Sequence, residues 1–89
     1  MDGPVAVYLA KVYITLKPSV NDPQGQTILG GLRSLGFGTV QSVRAGKYFE
    51  VRLDESSESK ANAKVKEMCS RLLANPIVED YRFELSKVT

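Results

Sequence analysis

Histidine is absent from the 89 residues, and cysteine occurs once, at Cys69. The first absence removes the side chain that ordinarily titrates between about pH 5 and 8, and with it the commonest neutral metal ligand. Together the two exclude Ser–His and Cys–His nucleophilic catalysis and any Cys/His zinc cluster. A lone cysteine closes no internal disulfide, and no secretory hydrophobic segment precedes the first strand pattern. The expected location is therefore cytoplasmic. No apolar run approaches the roughly 18 residues of a membrane-spanning helix, so no membrane partner is expected. Charge of one sign is scarce too: twelve Lys and Arg against ten Asp and Glu leave +2. The signs mix along the chain, as in "SESKANAKVKE" (57–67), where a nucleic-acid domain gathers its basic residues on one face. No nucleic-acid partner is expected.

What is present fits one small domain over residues 1–89, with residues 1–4 expected to fray. Hydrophobic residues make up 43% and charged residues 25%, a folded composition. A chain of this size buries only about 60–65% of its unfolded surface, so the core is thin and a partner that shares it would help.

Residues 5–16, "VAVYLAKVYITL", carry β-branched and aromatic residues with period two: Ala10, Val12, Ile14 and Leu16 face one way, Lys11, Tyr13 and Thr15 the other. Lys17-Pro18 ends the pattern. Asp22 then reads as an N-cap with Pro23 in the first helical position, and a helix runs from about Pro23 to Leu35. Ile28, Leu32 and Leu35 form its stripe, Leu29 lies beside them, and Gly36 is a left-handed stop. Gly25, Gly30 and Gly31 are poor helix formers, leaving either a weak helix or a close backbone neighbour in an assembly.

Residues 39–53, "TVQSVRAGKYFEVRL", hold strand signal with a break at "RAGK". They form either a hairpin at Ala45-Gly46 or one long strand bent at Gly46. Ser56 or Ser57 caps a second helix with a stripe of Ala61, Val65, Met68 and Leu72, widened by Cys69 and Leu73. Asn75-Pro76 stops it, and Tyr81, Phe83 and Leu85 alternate with Arg82, Glu84 and Ser86 in a last strand. The order β-α-β-(β)-α-β predicts a ferredoxin-like α+β layer, two helices covering one face of an antiparallel sheet. Parity sends Tyr13, Tyr48, Glu50, Arg52, Arg82 and Glu84 to the other face.

"KPSVNDPQG" (17–25) places a lysine, backbone amides and a helix N-terminus together, which suits an anion. Against that, Asp22 puts a carboxylate where the anion would sit, and the P-loop spacing is missing. A connector or partner-facing loop is the simpler reading. "AGKYFEVRL" (45–53) compares with the central strand of RNA-recognition modules, but Glu50 follows Tyr48 on the same face and repels a phosphate backbone. Cys69 and Met68 read as core residues, and no paired-carboxylate site follows from spacing.

Three stretches, "KVYITLKPSVNDPQGQ" (11–26), "LRSLGFGTVQSVRAGKYFEVRLD" (32–54) and "CSRLLANPIVEDYRFEL" (69–85), resemble the PurS family, the small accessory subunit of phosphoribosylformylglycinamidine synthase. The resemblance implies a ligase split into three polypeptides. A large subunit using ATP and magnesium activates the amide of formylglycinamide ribonucleotide, and a glutaminase subunit releases ammonia. The small subunit lets the two work together in purine biosynthesis. It implies a ferredoxin-like chain that exchanges segments into a dimer, with no catalytic residue, metal or cofactor of its own. Its partners are then itself, the large subunit and the glutaminase.

Motif positions present here are Lys17, Pro18, Asp22, Pro23, Gln24 and Gly25, then Arg44, Gly46 and Lys47, then Asn75, Pro76, Glu79, Asp80 and Tyr81. Of these, Lys17, Asp22, Gln24, Arg44, Lys47, Asp80 and Tyr81 are the candidate partner contacts, with Arg44 and Lys47 at one contact and residues 17–25 at a second. Ser19 stands where the family pattern has glycine. The alternatives on the same fold are a free-standing acylphosphatase-type enzyme, whose phosphate loop after the first strand would need an arginine, and a small-ligand regulatory module.

Overall fold

The computed structural model describes residues 5–88; the expected fraying of residues 1–4 lies outside them. Strand β1 (Ala6–Leu16) is central in a three-stranded antiparallel sheet, flanked by β2 (Gly46–Glu55) and β3 (Glu79–Lys87). The register pairs Val12 with Phe49 on one side and with Phe83 on the other, and Ala10 with Val51 and Leu85. Opposed residues share a face in such ladders, so the period-two pattern of all three strands points one apolar set the same way. Ala10, Val12 and Ile14 are fully buried on that face.

Helix α2 (Glu58–Met68) covers it, capped by the Ser57 hydroxyl, which accepts from the Lys60 amide at 3.2 Å. Ala61, Val65 and Cys69, at i, i+4 and i+8, are fully buried. Here the structure corrects the expected stripe. After Met68 the helix widens into a π-turn (Cys69–Leu73), in which the Ala74 amide reaches back to the Cys69 carbonyl at 2.9 Å. The wider turn keeps Cys69 and Leu73 against the core and turns Leu72 out to 84% exposure.

Two further expectations are corrected. Residues 39–45 form neither a hairpin arm nor the start of a long strand: they run without ladder partners, and pairing begins at Gly46. Helix α1 (Pro23–Ser34) has the expected Asp22 cap, Pro23 at its start and a left-handed Gly36 (φ 100°) after it. It does not cover the sheet, however. Neither the strands nor α2 pack substantially against it, and Gly25 is its buried residue. Helix α1 and the returning segment therefore form an arm, residues 23–45, projecting from one end of the sheet. Ile28, Leu35 and Phe37 are 42%, 76% and 55% exposed. The described chain spans 59 Å along its longest axis, and its radius of gyration is 17.5 Å, against about 12 Å for a compact chain of this length.

Candidate functional site

The end of β1, the start of β2 and the start of β3 meet at one end of the sheet, because Leu16 pairs with Glu79, Thr15 with Gly46 and Asp80, and Ile14 with Lys47 and Tyr81. All three sequence motifs thus converge. The two contacts expected to be separate, around residues 17–25 and around Arg44 and Lys47, form a single cluster.

Its centre is Asp22, only 6% exposed. One carboxylate oxygen accepts from the Gly25 amide at 3.0 Å, capping α1; the other accepts from the Ala45 amide at 2.8 Å, just before β2. The two amide bonds, Ala45 first, hold the Asp22 carboxyl below its ordinary pKa; partial burial opposes them and nearby Arg44 assists. Arg44 itself donates to the main-chain carbonyls of Leu16 and Lys17. The Lys17 amide donates to the Val78 carbonyl at 2.9 Å, tying the same loop to the approach of β3.

Lys47 lies 3.2 Å from the Glu79 carboxylate, bridging β2 and β3 across the end of β1. Glu79 also accepts from the Asn75 amide at 2.7 Å, the main reason its carboxyl sits below the usual range. A cleft of about 290 Å³, bordered by Leu16, Asp22, Gln24, Lys47 and Glu79, opens here. Gln24, Lys47, Asp80 and Tyr81 are exposed around the cluster, and Lys17 is half-buried.

This geometry does not suit an anion. The Gly25 and Ala45 amides are both occupied by Asp22, whose carboxylate repels an anion, and Arg44 commits one guanidinium nitrogen, Nη2, to two carbonyls. An acylphosphatase-type phosphate loop needs those donors free. Among the described residues no group of three carboxylate or thiol side chains is placed to hold a metal ion.

On the opposite face, Tyr13 and Tyr48 pack with ring centroids 5.1 Å apart, and the Arg82 guanidinium sits 4.0 Å over the Tyr13 ring. Glu50 and Glu84 accept from the hydroxyls of Tyr48 and Tyr13 at 2.9 and 3.3 Å. Desolvation and then Glu50 push the Tyr48 phenol up to about 12. Parity placed these residues correctly. Arg82 covers the Tyr13 ring, and Glu50 and Glu84 bring negative charge beside both tyrosines, so the RNA-binding reading gains nothing.

Sequence reasoning missed two features. The Asp22 bond to Ala45 spans 23 residues and has no local signal, and the exposure of the α1 stripe follows only from where the helix points.

A family model described as PurS, phosphoribosylformylglycinamidine (FGAM) synthase, matches residues 9–87. The chain is 48% identical over 82 residues to the phosphoribosylformylglycinamidine synthase subunit PurS of Bacillus subtilis, covering 92% of this chain and 96% of that one. It is 39% identical over 82 residues to the Methanocaldococcus jannaschii subunit, covering 92% and 99%. Among solved structures, B. subtilis PurS superposes with a TM-score of 0.79 over 89% of this chain and 98% of that one. A chain in the structure of PurLQS from Thermotoga maritima gives 0.80 at 30% identity, over 92% and 98%. Matched along nearly its whole length in sequence and in fold, the chain belongs to the PurS family.

Proposed function

We propose that the chain is the accessory subunit of a phosphoribosylformylglycinamidine synthase in purine biosynthesis, and that it contributes geometry and no bond-making group. Ammonia released by a glutaminase has to reach the activated substrate before it is lost. A subunit that holds the two active sites in a fixed relation speeds the coupled reaction by positioning. The large subunit supplies ATP and magnesium chemistry; this chain supplies surfaces.

The observation that carries this reading is the convergence of all three motifs at one end of the sheet, beside an arm with an uncovered apolar stripe. Lys17, Gln24, Lys47, Asp80 and Tyr81 face the catalytic partners, and Asp22 and Arg44 hold that surface in shape. The arm pairs with a second copy of this chain by segment exchange: Ile28, Leu35 and Phe37 are bare, and Phe83 and Leu85, on the core face of β3, are only half covered in their own chain. Burial of such complementary apolar surfaces drives association.

Reconstitution with a large subunit and a glutaminase tests the reading. Glutamine-dependent turnover is expected to require this chain, and Lys47→Ala combined with Tyr81→Ala is expected to weaken assembly. Full glutamine-dependent activity without the chain would overturn it.

A further inference from the structure

Beyond its base, helix α1 packs at most slightly on the strands and α2 of its own chain, so within one copy the arm's direction is decided mainly where it leaves. Both limbs are held there by one side chain: the Gly25 amide belongs to the outgoing limb, the Ala45 amide to the returning one, and each bonds a different oxygen of Asp22. The limbs come so close that a Cβ on Gly25 would lie 2.3 Å from the Val43 carbonyl oxygen and 2.6 Å from Asp22 Oδ2. Arg44 ties the returning limb to the last carbonyls of β1. At the far end the arm closes on itself, through Phe37 to the Leu32 carbonyl at 3.0 Å and Arg33 to the Val40 carbonyl at 3.1 Å. Among the described residues, its hydrogen bonds to the rest of the chain all lie at the base.

We propose that Asp22 is a positioning residue that pins the arm at a fixed angle to the sheet and, resting on the accessory-subunit reading above, sets the spacing of the partners held at the two ends. An ordinary N-cap needs one oxygen, and asparagine caps a helix as well as aspartate does. The pin needs two acceptors. An asparagine in this place would offer one, and its amide NH2 would oppose a backbone N–H. Asp22→Asn therefore separates pinning from capping.

Spin labels on the exposed positions Ser34→Cys and Ser86→Cys report the angle as a distance; Cys69 is buried and escapes labelling. The doubly labelled chain is diluted into unlabelled chain so that distances within one copy dominate. Asp22→Asn is expected to broaden or shift a single narrow distance while the Val12 and Ile14 amides keep their exchange protection. In the reconstituted synthase it is expected to lower glutamine-dependent turnover on the order of tenfold while ammonia-dependent turnover stays constant. Gly25→Ala keeps the aspartate but crowds both its carboxylate and the Val43 carbonyl, wedging the base, and is expected to give the same pair of results should Asp22→Asn fold poorly.

An unchanged distance distribution in both variants overturns the pin. A broadened distribution with undiminished glutamine-dependent turnover overturns its link to partner spacing. Failure of the unsubstituted chain to support assembly would instead overturn the accessory-subunit reading, and the distance measurement would still judge the pin.

Discussion

At the scale of single residues, the glycines separate by what surrounds them. Gly36 holds φ at 100°, where any side chain is strained, although the space beside it is open. Gly30 also faces open space but sits in helical backbone. The same substitution should therefore have opposite signs: Gly36→Ala is expected to cost about 1 kcal/mol, and Gly30→Ala to gain up to about 1 kcal/mol. Because the arm packs so little on the sheet, the effect is read locally, in the exchange rates of the Leu32 and Arg33 amides. Slower exchange in Gly36→Ala would contradict the assignment. Legibility divides along the same line. The Asp22 cap, Pro23 and the Gly36 stop were readable because each acts within its own turn of chain; the Ala45 bond was not, because nothing local marks a partner so far along the sequence.

Among the elements, α2 was the most legible and still misplaced one residue. Strict 3.6-residue periodicity placed Leu72 on the buried stripe. The π-turn adds a residue to the turn, keeping the expected Cys69 and Leu73 on the core and turning Leu72 out. Val65→Ala, at a position with no exposure, is expected to cost about 2 kcal/mol. Leu72→Ala should stay within about 0.5 kcal/mol. Denaturant unfolding of the two variants checks the assignment, and a large loss at Leu72 would restore the regular stripe.

Ion pairs join the same elements. Glu55, at the end of β2, pairs with Lys64 of α2, and Glu79 at the start of β3 pairs with Lys47 of β2. The Lys64 bond lowers the Glu55 carboxyl, and the Asn75 amide, aided by Lys47, lowers that of Glu79. A carboxyl with a depressed folded pKa contributes stability that is complete above its unfolded value, here 4.5, and lost as pH falls through the folded one. Lys64, raised by the same pair, contributes below its ordinary 10.5 and loses that contribution as pH rises past its folded value. Thermal midpoints should thus be flat near neutrality and fall below about pH 4. Glu55→Gln is expected to flatten the acid limb, and an identical limb would remove this pair from the cause.

For the whole molecule, the strands and α2 explain one another, and the arm explains nothing within its own chain. Periodicity revealed that α1 has an apolar stripe, and the usual layer architecture led it onto the sheet. A stripe specifies that something covers it, without specifying whose surface does so. The extended shape supplies part of the missing fact: the cover is not the sheet of its own chain. Leu35, 76% exposed near the arm's tip, makes the sharpest test. A carboxylate there costs the lone chain almost nothing, because it already faces water, but in a paired arm it would be buried without a partner. On the segment-exchange pairing proposed above, Leu35→Glu is therefore expected to reduce the mass in solution to that of one 9.8 kDa chain. The exchange protection of Val12 and Ile14 should survive, and the concentration dependence of thermal unfolding that marks an assembling protein should vanish. If the variant kept the mass and concentration dependence of the parent, the arm's stripe would not be a surface that joins two copies, and the segment-exchange pairing would be overturned.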